Sequence, residues 1–418
     1  MRVNRSLVLG SLLLAVAMGL AGSAGAASAQ KLVVATWQTG APYLDTLREF
    51  GDVRGVEVEI VHLTGGDRGY FEQIVTMSVG GTPPDIMYMK RGLLGDGLQE
   101  MGLLEDLNPW VDRDPQVRRE DHHPDVMLGA GERFLQFLPV VILERMVGYN
   151  LEHVRRSGIA EPEIDWTFED FREFLRRVTR TAPDGSVELW GHDDAGRIWP
   201  YDGPMGLTYF NEQGTEVILD NPKTIEGLEF FRKLINEDQV IAPPGVNARC
   251  QNGRSVSCVW NASWFDDREG EWGLVSLPVG PGGKAPLVLI EGYAMHAQSA
   301  NKELAWELIR WATSDESMMR LVAAGITPAK LPILINHAHL EHPYREALLD
   351  TLVHGKRYFA VPQGTVVPYS LLEEAVSIFR SRLSSYWRGQ RSLRQILDES
   401  VPAMQSMIAQ WMSQNLKE

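Results

Sequence analysis

Apolar positions along this chain alternate between two spacings. Lys31 to Trp37 (KLVVATW) is a short, nearly unbroken apolar run, which predicts a buried strand. Tyr43 to Phe50 carries Leu44 and Leu47 at helical spacing. Val56 to Ile60 alternates apolar and acidic residues, the pattern of a half-exposed strand. Tyr70 to Val79 reads as a helix stopped by Gly80-Gly81, and Pro83-Pro84 precedes a third strand at Asp85 to Met89. Strands alternating with helices predict an α/β protein with a parallel sheet covered on both faces.

The alternation continues further on. Phe137 to Leu143 and Met146 to Tyr149 are two strand-like pieces. Thr167-Phe-Glu-Asp170 predicts a capping box, followed by Phe168, Phe171, Leu175 and Val178 on one helical stripe. Asp220-Asn-Pro222 precedes an amphipathic helix over Thr224 to Asn236. Ser255 to Trp260, Trp272 to Leu277 and Pro286 to Ile290 read as strands, and Leu304, Leu308, Trp311 and Ala312 mark another helix. Two more helical stripes close the chain, the second interrupted by Pro402.

The first residues read as an address. Arg2 and Arg5 precede an apolar run over Leu7 to Leu20, and Ala27-Ser28-Ala29 supplies small residues for cleavage before Gln30. The run is shorter than the ~20 residues a membrane span needs. Residues 1–29 are therefore expected to be a signal peptide, and the mature chain to be extracytoplasmic or periplasmic. Losing 29 of 418 residues leaves 389, and losing two arginines takes the net charge from −15 to −17. So acidic a surface repels phosphate backbones and argues against nucleic acid as a partner. Export also places Cys250 and Cys258 where disulfides persist, and the residues between them close a short loop. A metal or redox pair is the alternative, but the spacing fits no C-x-x-C and no His is nearby.

Six segments stand in order along the chain: Gly81-Thr-Pro-Pro-Asp-Ile86, Gly102-Leu-Leu-Glu-Asp-Leu107, Leu138-Pro139 with Tyr149-Asn150, Asp165-Trp-Thr-Phe-Glu-Asp-Phe171, Asn252-Gly-Arg254 with Trp264, and Gly292-Tyr293 with Ser299 to Trp306. Together they resemble the extracellular solute-binding proteins of ATP-driven importers, in the sugar-binding branch that includes maltose-binding protein. The resemblance implies a two-lobed type II periplasmic-binding fold, its lobes interleaved in sequence and joined by a hinge. The implied division is residues 30–142 with 292–335 in one lobe, and 146–288 with 340–418 in the other. It further implies a monomer without cofactor or catalytic residues, which binds a small solute between its lobes and delivers it to a membrane permease. There are departures: Leu151 stands where the family has Lys, and Met89 stands near a sugar-stacking Trp of maltose-binding protein.

A sugar site needs aromatic faces for the C–H side of a ring and polar groups for its hydroxyls. The chain's 12 Trp supply candidates. Trp37 ends the first strand, where open α/β sheets place ligands; it forms a cleft wall or a core cap. Asp85 either orients its turn or meets ligand. Lys90 and Arg91 follow the third strand. Glu144 lies in the segment resembling the family's crossing segment, near a sugar-binding carboxylate. Trp199, in an aromatic loop, and Trp260 and Trp264, flanking Asn261 to Ser263, are candidate stacking platforms. Glu291, Gly292 and Tyr293 enter the hinge, Gly292 allowing a close backbone approach to ligand. The rival reading is a secreted carbohydrate-active enzyme using paired carboxylates; Asp266, Asp267, Glu269 and Glu271 cluster, but more plainly as a solvated turn. Within the binding class, a polyol phosphate, polyamine or peptide is the other ligand reading. The histidines at 122–123 and 337–342 lack companion ligands at known metal-site spacings.

Overall fold

The computed structural model describes residues 30–90, 92–122, 134–193, 195–197, 199–266, 270–338, 343–355 and 365–416. The expected signal segment and Arg91 lie outside them. Strands β1 (Lys31–Thr36), β2 (Glu57–His62) and β3 (Ile86–Lys90) form where the short apolar runs stand, and β1 pairs in parallel with both others. Helices Ala41–Arg54 and Gly66–Val79 connect them. The remaining strands are β4 (Leu138–Asn150), β5 (Arg180–Thr181), β6 (Val187–His192), β7 (Ser255–Asn261), β8 (Trp272–Val275) and β9 (Val288–Met295). Their order is β2-β1-β3-β9-β4-β7-β6-β5, with β8 also paired to β4.

β4 organises the molecule. Its first half, Leu138 to Glu144, pairs antiparallel with β9, and its second half, Arg145 to Asn150, pairs with β7 and β8. The sequence predicts two pieces here because Glu144-Arg145 breaks the apolar run. The backbone nevertheless stays extended through both charges, and one strand serves two sheets. On either side of that charged pair lie separate cores. One gathers Leu32, Leu47, Ile74, Tyr88, Leu98, Val141, Ile290 and Leu308. The other gathers Val147, Phe171, Leu228, Val256, Leu372, Phe379 and Ile408. A third, small cluster around Met146, Cys258, Phe265 and Trp272 underlies the second half of β4.

Local chemistry accounts for the element ends. Thr167 and Asp170 form the expected capping box on helix Phe168–Val178, and Asn221 caps helix Pro222–Asn236 by accepting from the Thr224 N–H at 3.0 Å. Helix Leu393–Asn415 continues past Pro402, where the sequence predicts an interruption. Pro402 is exposed, so water can satisfy the carbonyl it leaves without a donor. Among the described residues, no helix is long and apolar enough to cross a membrane.

Candidate functional site

The carboxyl ends of β1 and β3 open toward the charged centre of β4. Trp37 follows β1 directly and is half-buried, its ring 5.1 Å from those of both Tyr70 and Tyr88 in edge-to-face geometry. Tyr88 also meets Tyr43 at 5.8 Å and Tyr293 at 5.1 Å, so Trp37 is the outermost member of a buried aromatic block. Over this block, Glu291 of β9 pairs in register with Lys90 of β3. Gln38 Nε2 donates to Glu291 Oε2 at 3.2 Å, and Lys90 makes an ion pair with Asp67 at 3.1 Å. Burial raises the Glu291 carboxyl above the usual range, while the charges of Lys90 and Arg145 pull it back. Arg145 thus acts electrostatically across the junction on a group from the other sheet.

On the far side of β4, a cavity of about 450 Å³ is lined by Arg145, Gly196, Trp199, Pro200, Arg249, Val259 and Trp260. The guanidinium carbon of Arg145 lies 5.4 Å from the Trp199 ring centroid and 5.7 Å from that of Trp260, within reach of both π faces. Buried contacts hold these walls. The turn Trp199–Tyr201 is anchored by the Tyr201 hydroxyl, 3.1 Å from Nε2 of His192, whose Nδ1 meets Ser257 Oγ at 2.8 Å. Burial lowers His192 to about 3, so it stays neutral. Arg249 precedes Cys250, whose N–H donates to Asp193 at 3.2 Å and whose sulfur is bonded to Cys258 of β7. That tether makes the pair structural.

Gly196 and Trp199 also wall a second cavity, of about 300 Å³, which reaches Asp202, Tyr209 and Arg380. Asp202 pairs with Arg380 at 3.5 Å, and burial pushes its carboxyl up to about 7 against the opposing pull of that arginine. A larger cavity, about 670 Å³, lies between residues 158–166 and helix Phe168–Val178. It takes no lining from β4 or from the first core.

The structure separates the residues expected at the site. Trp37, Glu144, Trp199, Trp260 and Glu291 gather around the junction; Glu144 is buried on β4 next to Arg145. Asp85, read either as orienting its turn or as meeting ligand, holds the scaffold: it accepts from Val33 N at 2.9 Å, Ser299 Oγ at 2.5 Å and Asn301 Nδ2 at 3.2 Å. Tyr293 is buried in the aromatic block rather than turned to a crevice. Gly292 admits another strand, not a ligand: a Cβ there would lie 1.9 Å from the Leu138 carbonyl oxygen. Trp264 packs edge-on to Phe265 at 4.8 Å and Trp272 at 5.9 Å, in the third cluster, and is absent from the cavity lining. Arg145, Arg249, Gln38 and Arg380 were not singled out for the site from the sequence. For Arg145 there was a signal, a charged pair inside an otherwise buried apolar run.

Two sheets that share one strand, each with its own core, and a collection of Trp, Arg and Glu side chains at their junction define a hinged ligand-binding protein. The chain belongs to the bacterial extracellular solute-binding protein family, whose model matches residues 29–319. An erythritol/L-threitol-binding protein of Mycolicibacterium smegmatis is 25% identical over 337 residues, covering 69% of this chain and 68% of that protein. Among solved structures, an ABC substrate-binding protein of Listeria monocytogenes in complex with cycloalternan superposes with a TM-score of 0.77 at 17% identity, covering 91% of this chain and 99% of that one. A solute-binding protein of Thermotoga lettingae bound with α-D-tagatose gives a TM-score of 0.75 at 14% identity, covering 91% and 100%. These structural likenesses establish the two-lobed fold.

Proposed function

We propose that this chain captures a carbohydrate or polyol between its lobes, outside the cytoplasm, and delivers it unchanged to the permease of an ABC importer. The observation that carries this reading is Arg145 on the shared strand, flanked by Trp199 and Trp260 and electrostatically coupled to Glu291 of the opposite sheet. Indole faces suit the C–H side of a sugar, and the charged groups suit its hydroxyls once water leaves. Relatives that bind erythritol or L-threitol and arabinooligosaccharides support a polyhydroxylated ligand. The lobe division follows the two cores, with crossings near 144–145 and 287–288 and a third after Leu334. Residues 1–29 direct export and are removed. The protein works as a monomer, without cofactor or chemistry on its ligand. Closure follows because only the closed form satisfies contacts from both lobes.

The test is calorimetric titration of the mature protein with tetritols, pentoses, hexoses and short oligosaccharides, with thermal shift as a screen. At least one should bind and be recovered intact after incubation. Failure of the whole panel, or hydrolysis of a bound glycoside, refutes the reading.

A further inference from the structure

We propose that Glu100 is a positioning residue that sets ligand affinity from outside the site, by holding the two lobes together. This rests on the binding reading above. Glu100 ends the short helix Leu98–Glu100, and Leu98 is fully buried in the first core. Its carboxylate reaches helix Tyr369–Trp387, whose Leu372, Val376 and Phe379 belong to the second core. One oxygen accepts from the Tyr369 N–H. The other accepts from Ser370 Oγ at 2.8 Å and from the Ser370 N–H at 3.3 Å.

Helix Tyr369–Trp387 has no capping side chain of its own, since its preceding residue is Pro368. Its first N–H groups lack partners within the helix. An acid at that end is favoured by hydrogen bonding and by the helix dipole. Here the acid comes from the other lobe. A second contact adjoins it: Tyr369 packs over Gly92, where even a Cβ would come within 3.2 Å of the tyrosine hydroxyl. Gly92 has φ +91°, which also favours glycine. Neither contact lies on a segment that crosses between the lobes. Separating the lobes therefore breaks both and leaves the helix end uncapped.

The contact contains no ligand atom, so it favours closure in the empty protein as well. A larger closed population strengthens apparent affinity in proportion. Cap loss usually costs enough to shift such an equilibrium roughly tenfold.

The experiment compares wild type, Glu100→Ala and Ser392→Ala. Ser392 caps helix Leu393–Asn415 entirely within one lobe, so its loss controls for stability alone. Dissociation constants are measured for erythritol, arabinotriose and maltose. Radii of gyration of the ligand-free proteins come from X-ray scattering. Glu100→Ala should shift toward the open form: where the closed form is rare in the empty protein, whichever probe the wild type binds is held roughly tenfold more weakly, and where it is common, the ligand-free radius grows; Ser392→Ala should match wild type in both. A Glu100→Ala protein with both the wild-type affinity and the wild-type radius overturns the proposal. If neither these probes nor the wider panel above binds the wild type, the carbohydrate reading falls, and an unchanged ligand-free radius then overturns the role of Glu100.

Discussion

Arg145 places its guanidinium carbon 5.4 Å from the ring centroid of Trp199, at the point where β4 passes from one sheet to the other. The position is economical, because a charge on the shared strand can be felt from both lobes. Replacing Arg145 with Met keeps much of the aliphatic stem and removes the charge and its donors. Ligand affinity should fall by roughly tenfold or more, the worth of a charge-assisted hydrogen bond. Calorimetric titration measures this directly. Unaltered affinity in Arg145→Met would remove the arginine from the site.

The two indoles around it should respond differently. Trp199 is 44% exposed on a short turn, whereas Trp260 leans on the third core cluster. Trp199→Ala should weaken binding roughly tenfold while changing unfolding free energy by less than about 0.5 kcal/mol. Trp260→Ala should weaken binding and also lower stability, because it opens space beside packed side chains. Paired titration and denaturant melts separate the two effects. Equal stability losses would mean that Trp199 is a core residue.

Gly292 sits between β3 and β4, paired with Met89 on one side and Pro139 on the other. A methyl group there would lie 1.9 Å from the Leu138 carbonyl oxygen, so Gly292→Ala must push β4 away from β9. The expected loss is about 3 kcal/mol or more, since backbone rather than a flexible side chain must move. Denaturant midpoints of the purified variant test this. A wild-type midpoint would show that the strands part more easily than their packing implies.

Much of the architecture was legible because spacing carries it. Lys31 to Trp37, the alternating Val56 to Ile60 and the Thr167 box all formed the elements that their patterns imply. The shared strand was not legible as one piece. A charged pair in an apolar run reads as a break, and only the pairing of β4 with two sheets shows why the chain stays extended there. The same blindness hid Arg145 from the site. Gly292 shows a related limit: a glycine announces close approach but not what approaches, and here it is the carbonyl of Leu138. Asp85 and Tyr293 were of the right chemical types for a sugar site, yet the partners that bury them are remote in sequence, Ser299 and Asn301 for Asp85 and Tyr88 for Tyr293. Asp202 and Arg380 meet at one cavity and Arg249 reaches the adjoining one, each from a distant segment that no local pattern joins.

Asp202 provides a test through pH. Its carboxyl is buried and lies 3.5 Å from Arg380, and burial prevails, raising it from 3.8 to about 7. The folded protein therefore keeps a proton that the unfolded chain releases above about pH 4. Between those values the native state binds more protons, so this group's contribution to stability falls as pH rises. In Asp202→Asn the dependence disappears, while Arg380 retains Glu373 at 3.6 Å. The melting temperature of the variant minus that of wild type should therefore climb from pH 4 to 7 and level off above. The full change is on the order of a few kcal/mol. Melting curves in matched buffers across pH 4 to 8 decide the matter. A difference that stays flat, or declines over that window, would show that Asp202 is ionised in the native protein and that Arg380, not burial, governs it.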